Sequence, residues 1–206
     1  MLKKIIVLTA QQEDVLKELG NICAGNAATA LSQLLNKKII VNIPHVHLVR
    51  IKEVPAIVGG PQKIMAGVVS QVFGDAQGII LLLFPQQSAH VLSEMFHGRQ
   101  DERGIFTETD QWAIRETGSL LSAVYLNTLT KFTRLNLIPS TPGIIIDMAG
   151  ALIDYLLIEL SAVTEYALLI DSEFNDAGRL LQGHFLLLPN AGSLEAILDT
   201  IKEYNG

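Results

Sequence analysis

Residues 18–31 read Glu-Leu-Gly-Asn-Ile-Cys-Ala-Gly-Asn-Ala-Ala-Thr-Ala-Leu. The periodicity of Val15, Leu19, Ile22, Ala30 and Leu34 predicts a helix over about 12–37 with those residues on its buried side, and Thr9 or Asp14 near its start. Residues three and four apart share a helix face. Asp14, Glu18, Asn21 and Gly25 therefore line the opposite face, continued by Ala28 or Thr29 and then Ser32. Glu18 and Asn21 would project from a ridge with almost no side chain around them, where another molecule's backbone can come close. Helix surfaces are rich in Glu and Asn, so the pair by itself specifies little.

The pattern turns to strand after Lys38, with Pro44 inside it and His45 and His47 on one side. Val58-Gly59-Gly60-Pro61 reads as a turn. Apolar runs at 63–73 and 78–84 flank Gly74-Asp75 as a hairpin, and 86–97 is a short amphipathic helix. The second half repeats this order: a helix at 108–134, an extended stretch at 135–146, strands at 165–173 and 179–188, and a closing helix at 193–204. A displacement of 98 positions carries Glu18 onto Glu116, Gly20 onto Gly118, Leu31 onto Leu129 and Pro44 onto Pro142. One helix, Ala149 to Leu160, looks added to the second half. The expected architecture is α+β: one domain of two repeats, about 12–99 and 108–206, related by a pseudo-two-fold. Short connections imply a largely antiparallel sheet, packed with two long helices and shorter amphipathic ones.

Apolar residues make up 49% of the 206, enough for a substantial core. A net charge of −6, with 15 scattered basic residues, argues against nucleic acid as a partner. The single cysteine, Cys23, rules out an internal disulfide and reads as a small core residue. The first apolar run is too short for a signal peptide, and Asp147, Asp154 and Glu159 interrupt the longest oily region. A cytoplasmic protein without membrane insertion is expected. His45 and His47 share a side, but no third metal ligand is evident beside them. His90 and His97 read as surface or half-buried residues, and Trp112 as a packing anchor or part of an altered docking surface.

Asp14, three residues, Glu18, two residues, Asn21, twenty-two residues, then Pro44: this spacing resembles the signature of the CheC/CheX/FliY family of response-regulator phosphatases. The small-residue continuation and the duplication extend the likeness over most of the chain, and two repeats resemble the CheC branch most. The resemblance implies hydrolysis of the aspartyl-phosphate of a phosphorylated CheY-type response regulator. It makes Glu18 and Asn21 the catalytic pair, with Asn21 positioning the water and Glu18 docking on the partner. An Asn amide can donate or accept a hydrogen bond to water without changing charge, in keeping with that role. The chain would need no metal or cofactor of its own, the Mg²⁺ belonging to the regulator. In the second half Ser119 stands where Asn is expected and Trp112 where Asp or Ser is. Asp14, Glu116 and Ser119 are thus assigned to docking or to a degenerate second site. The segment 147–156 resembles the region with which some members contact CheD, a receptor deamidase. The alternative is a non-catalytic protein that binds phosphorylated CheY or CheD.

Overall fold

Thr9 opens the first helix. In the computed structural model, which describes residues 8–98, 106–159, 165–176 and 178–203, its hydroxyl accepts from the Gln12 amide at 3.2 Å while Gln12 Oε1 accepts from the Thr9 amide at 2.9 Å. This reciprocal box satisfies donors that a helix start leaves orphaned. Thr107 and Asp110 build the same box 98 positions later. Helices α1 (Ala10–Leu35) and α4 (Glu108–Thr133) are each 26 residues long. Each ends on a residue in the left-handed region, Asn36 (φ 49°) and Arg134 (φ 59°).

After α1 come strand β1 (Ile40–Arg50), a 3₁₀ turn (Ile51–Glu53), helix α2 (Val54–Ile57), strands β2 (Ile64–Gly74) and β3 (Gly78–Pro85), and helix α3 (Gln86–His97). After α4 come β4 (Leu137–Pro139), β5 (Gly143–Met148), helix α5 (Ala149–Glu159), β6 (Tyr166–Asp176), β7 (Arg179–Pro189) and α6 (Ala191–Glu203). Helix α5 is therefore not an addition. It follows its strand at the place where the 3₁₀ turn and α2 follow β1, and differs mainly in length.

All strand pairings are antiparallel, and the order is β1-β6-β7-β3-β2-β4, with β5 also on the outer side of β2. The halves interleave: β1 pairs with β6 of the second half, and β5 pairs with β2 of the first. The helices follow suit. α3 packs on α4, where the Ser93 hydroxyl donates to Asp110 Oδ1; α6 packs on α1, where Gln12 Nε2 donates to the Leu198 carbonyl at 3.4 Å.

Helices lie on both sheet faces, which explains why β3 is a continuous apolar run and why β7 becomes one over 185–189. Ile80, Leu82 and Phe84 point to the core shared with α1, α3, α4 and α6. Their neighbours Ile79, Leu81 and Leu83 point to a second core with α2 and α5, through Val54, Leu152, Ile153 and Leu156. Among the described residues no helix is long and apolar enough to cross a membrane.

Candidate active site on helix α1

Asp14, Glu18, Asn21, Gly25 and Thr29 are all exposed along one side of α1, as the spacing predicts. The buried side differs from expectation by about one position. Val15 and Leu19 are in the core, but Ile22 and Leu34 are 40% and 41% exposed. The buried positions are Leu16, Gly20, Cys23, Ala27 and Leu31 instead. Several of these are small because α1 is squeezed from two directions: it lies on β1 and runs against α4. At the first contact a Cβ on Gly20 would come 2.9 Å from Val46 Cγ2 and 3.2 Å from Ile43 Cγ2. At the second, Asn26 Nδ2 donates to Thr128 Oγ1 at 3.1 Å. Cys23 lies fully buried nearby, and burial pushes its thiol up to about 12 against a hydrogen bond with Thr128.

Pro44 takes its place in this arrangement through the backbone. β1 is an edge strand, and its register against β6 shifts between Asn42 and His45. A residue without an N–H is tolerated at such an edge irregularity and not in a central strand. Ile43 and Val46, on either side of it, are the residues that touch Gly20, so the irregular stretch lies beside the turn of α1 that carries Glu18 and Asn21. Farther along, Ser32 Oγ accepts from the Ile39 amide at 2.9 Å, tying the end of the helix to the start of the strand.

The Asn21 carboxamide has no hydrogen-bond partner among the described residues and faces water. Such a group can orient a water molecule that another protein's reactive centre approaches. The equivalent surface on α4 is more closed: Glu116 and Ser119 are half-buried. Trp112 is both packed and 44% exposed, its ring standing edge-on to Phe96 at 5.6 Å and 6.0 Å from His97.

The His45 and His47 rings stack at 5.2 Å on the edge strand. Strand pairing sets Asp171 directly opposite His45, a neighbour no local pattern reveals, and Asp171 Oδ1 lies 2.7 Å from His184 Nδ1 on the next strand. Among the described residues no three His, Cys, Asp or Glu side chains are grouped to hold a metal ion. His90 is half-buried and stacked on Phe106 at 4.3 Å. A cleft of about 380 Å³ at the start of α3, lined by Lys63, Gln86, Leu180 and Gln182 among others, shares no residue with α1.

The model of the CheC-like family matches residues 12–48, the span that runs from α1 into β1 and contains Glu18, Asn21 and Pro44. The protein named CheY-P phosphatase CheC of Bacillus subtilis is 33% identical over 192 residues, covering 91% of this chain and 92% of that one. Among solved structures, FliY of Thermotoga maritima shares the fold with a TM-score of 0.76 at 18% identity, over 97% of this chain and 100% of that one. FliM of H. pylori, in its complex with SpeE, follows at 0.70 and 12% identity, over 96% and 97% of the two chains. An identity of one residue in three, sustained over nine-tenths of both chains and anchored on the α1–β1 unit, means that this chain belongs to the CheC-like family.

Proposed function

We propose that the chain is a CheC-like phosphatase that hydrolyses the aspartyl-phosphate of a CheY-type response regulator in chemotaxis signalling, in the cytoplasm. The observation that carries this reading is the Asn21 carboxamide, exposed and without a hydrogen-bond partner among the described residues, one turn from Glu18 on the side of α1 that also carries Asp14 and Gly25. The name of the B. subtilis relative supports the substrate class.

Asn21 enters the regulator's site and holds a water in line with the phosphorus. The water oxygen forms the new P–O bond as the bond to the aspartyl oxygen breaks. Inorganic phosphate leaves, and the regulator's carboxylate is restored. Positioning supplies the rate, so the chain needs no nucleophile. Glu18 docks on a lysine beside the phosphorylated aspartate, and Asp14 extends the docking edge. The chain brings no cofactor; the Mg²⁺ belongs to the regulator's own acidic pocket.

On α4, Glu116 retains a docking role while Ser119, shorter than an amide and half-buried, leaves that site weak or inactive. This reading takes the chain as one domain of two repeats. A second partner, the deamidase CheD, is assigned to α5. Beyond the side that Leu152, Ile153 and Leu156 bury, α5 presents Tyr155, Leu157 and Ile158 at 50%, 40% and 77% exposure.

The test follows the decay of a CheY-type regulator phosphorylated with acetyl phosphate, in Mg²⁺, with wild type and with Asn21→Ala. Acceleration by wild type alone supports the assignment. Equal acceleration by both removes Asn21 from the mechanism, and acceleration by neither leaves the binding-protein reading.

A further inference from the structure

Gly25 sits in the interior of α1, exposed, one turn beyond Asn21 on the same side. Glycine is the poorest helix residue apart from proline, because it has the most backbone freedom to lose. Such a residue usually has a local reason, and two other helix glycines show what one looks like. A Cβ on Gly20 would press on Val46 at 2.9 Å, and one on Gly118 would lie 2.6 Å from Val68 Cβ. These two occupy equivalent positions in α1 and α4, and both repeats keep the glycine. Around Gly25 nothing lies within 4 Å of an added Cβ, and its φ is not in the left-handed region. Among the described residues nothing in the packing or the backbone requires glycine there.

The duplication supplies the comparison. α1 and α4 have equal length and matching caps, so Gly25 corresponds to Ala123. The helix that keeps Asn, at position 21, has glycine one turn on. The helix with Ser119 in its place has alanine there, and the fold accepts it. The glycine thus accompanies the water-positioning residue and not the helix architecture.

We infer that Gly25 is a positioning residue for the regulator: its missing side chain lets the backbone beside the phosphorylated aspartate close onto α1, so that Asn21 reaches the phosphorus. This rests on the phosphatase reading above and adds a determinant of how the phosphorylated regulator is admitted. A methyl group at this position holds the partner away from the helix while improving the helix itself. Stability and partner engagement therefore move in opposite directions, which a merely structural glycine would not produce.

The experiment compares wild type, Gly25→Ala and Ala123→Gly by thermal unfolding, by decay of acetyl-phosphate-phosphorylated CheY-type regulator at several regulator concentrations, and by titration binding of that regulator. Gly25→Ala is expected to raise Tm by about 2–4 °C, the shift a normal helix-propensity gain gives a chain of this size. Its KM is expected to rise about tenfold or more, the scale on which small displacements act. Ala123→Gly is expected to lower Tm and leave the kinetics unchanged. If Gly25→Ala lowers Tm, the glycine is structural and the inference falls. The inference also falls, with the phosphatase reading intact, if Gly25→Ala matches wild type in KM and in binding. If wild type binds the regulator without accelerating decay, the phosphatase reading fails alone, and weaker binding by Gly25→Ala sustains the clearance role. A wild type that neither binds nor accelerates overturns both.

Discussion

Gly20 and Val46 meet so closely that a single added carbon on the glycine would lie 2.9 Å from the valine Cγ2 methyl. This contact sets the height of α1 above the edge strand at the turn that carries Asn21, the next residue. Gly20→Ala is expected to destabilise the chain by about 1–3 kcal/mol through overpacking. Gly118→Ala lies at the upper end of that range, because Val68 meets it with its Cβ and both methyls at 2.6–2.7 Å. Urea unfolding of the two variants checks the order.

Glu18→Ala is expected to act on partner binding more than on the chemical step. A rise in KM of about tenfold with kcat nearly kept is the expected pattern for a lost docking charge, since binding common to ground and transition states affects KM alone. Regulator-concentration series of phosphoryl decay read the split. A kcat loss as large as that of Asn21→Ala would instead move Glu18 into the chemical step.

Asp110 makes the fold acid-sensitive in a definite direction. Burial pushes its carboxyl up, but hydrogen bonds from the Ser93 and Thr107 hydroxyls and the Thr107 amide, with His90 nearby, bring it below the ordinary 3.8. A carboxyl lowered by folding stabilises the native state fully above its unfolded pKa and loses that contribution as pH falls through its folded one. Asp110→Asn, which weakens the α4 capping box, is expected to cost about 1–2 kcal/mol near neutrality. The gap from wild type should narrow only below about pH 4. Unfolding midpoints across the acid range measure it.

Cys23 reports on opening of the α1–α4 seam. The thiol is fully buried and its pKa is pushed up to about 12, so thiolate is scarce and shielded. Native protein is expected to resist a water-soluble alkylating reagent at mildly alkaline pH, and protein in denaturant to react at once. Rapid labelling of the native chain would show that the seam opens readily.

Much of this structure is legible locally. The Thr9 start, the glycine-bearing 74–75 turn and the exposed side with Asp14, Glu18 and Asn21 all follow from short-range pattern, since caps, turns and helix faces depend on neighbours in sequence. Ile22 and Leu34 read as buried because apolar residues with helical spacing ordinarily face a core. Here the two-sided squeeze on α1 selects Gly20, Cys23 and Ala27 for the interior and leaves the larger pair at the margin. Asp171 could not be found beside His45, because nothing near either residue says that β1 pairs with β6. The same long-range choice conceals the kinship of α5 with the short helical segment at 51–57, where sequence length misleads and topological place decides.

The exchange of strands between halves also fixes how the chain can come apart. A cut between α3 and α4 would separate β1 from β6 and β5 from β2, taking from each fragment the partner that completes its sheet. Neither fragment would carry a finished core, yet together they hold every pairing. The protein is thus built as two mutually dependent parts, and its integrity is a property of their union.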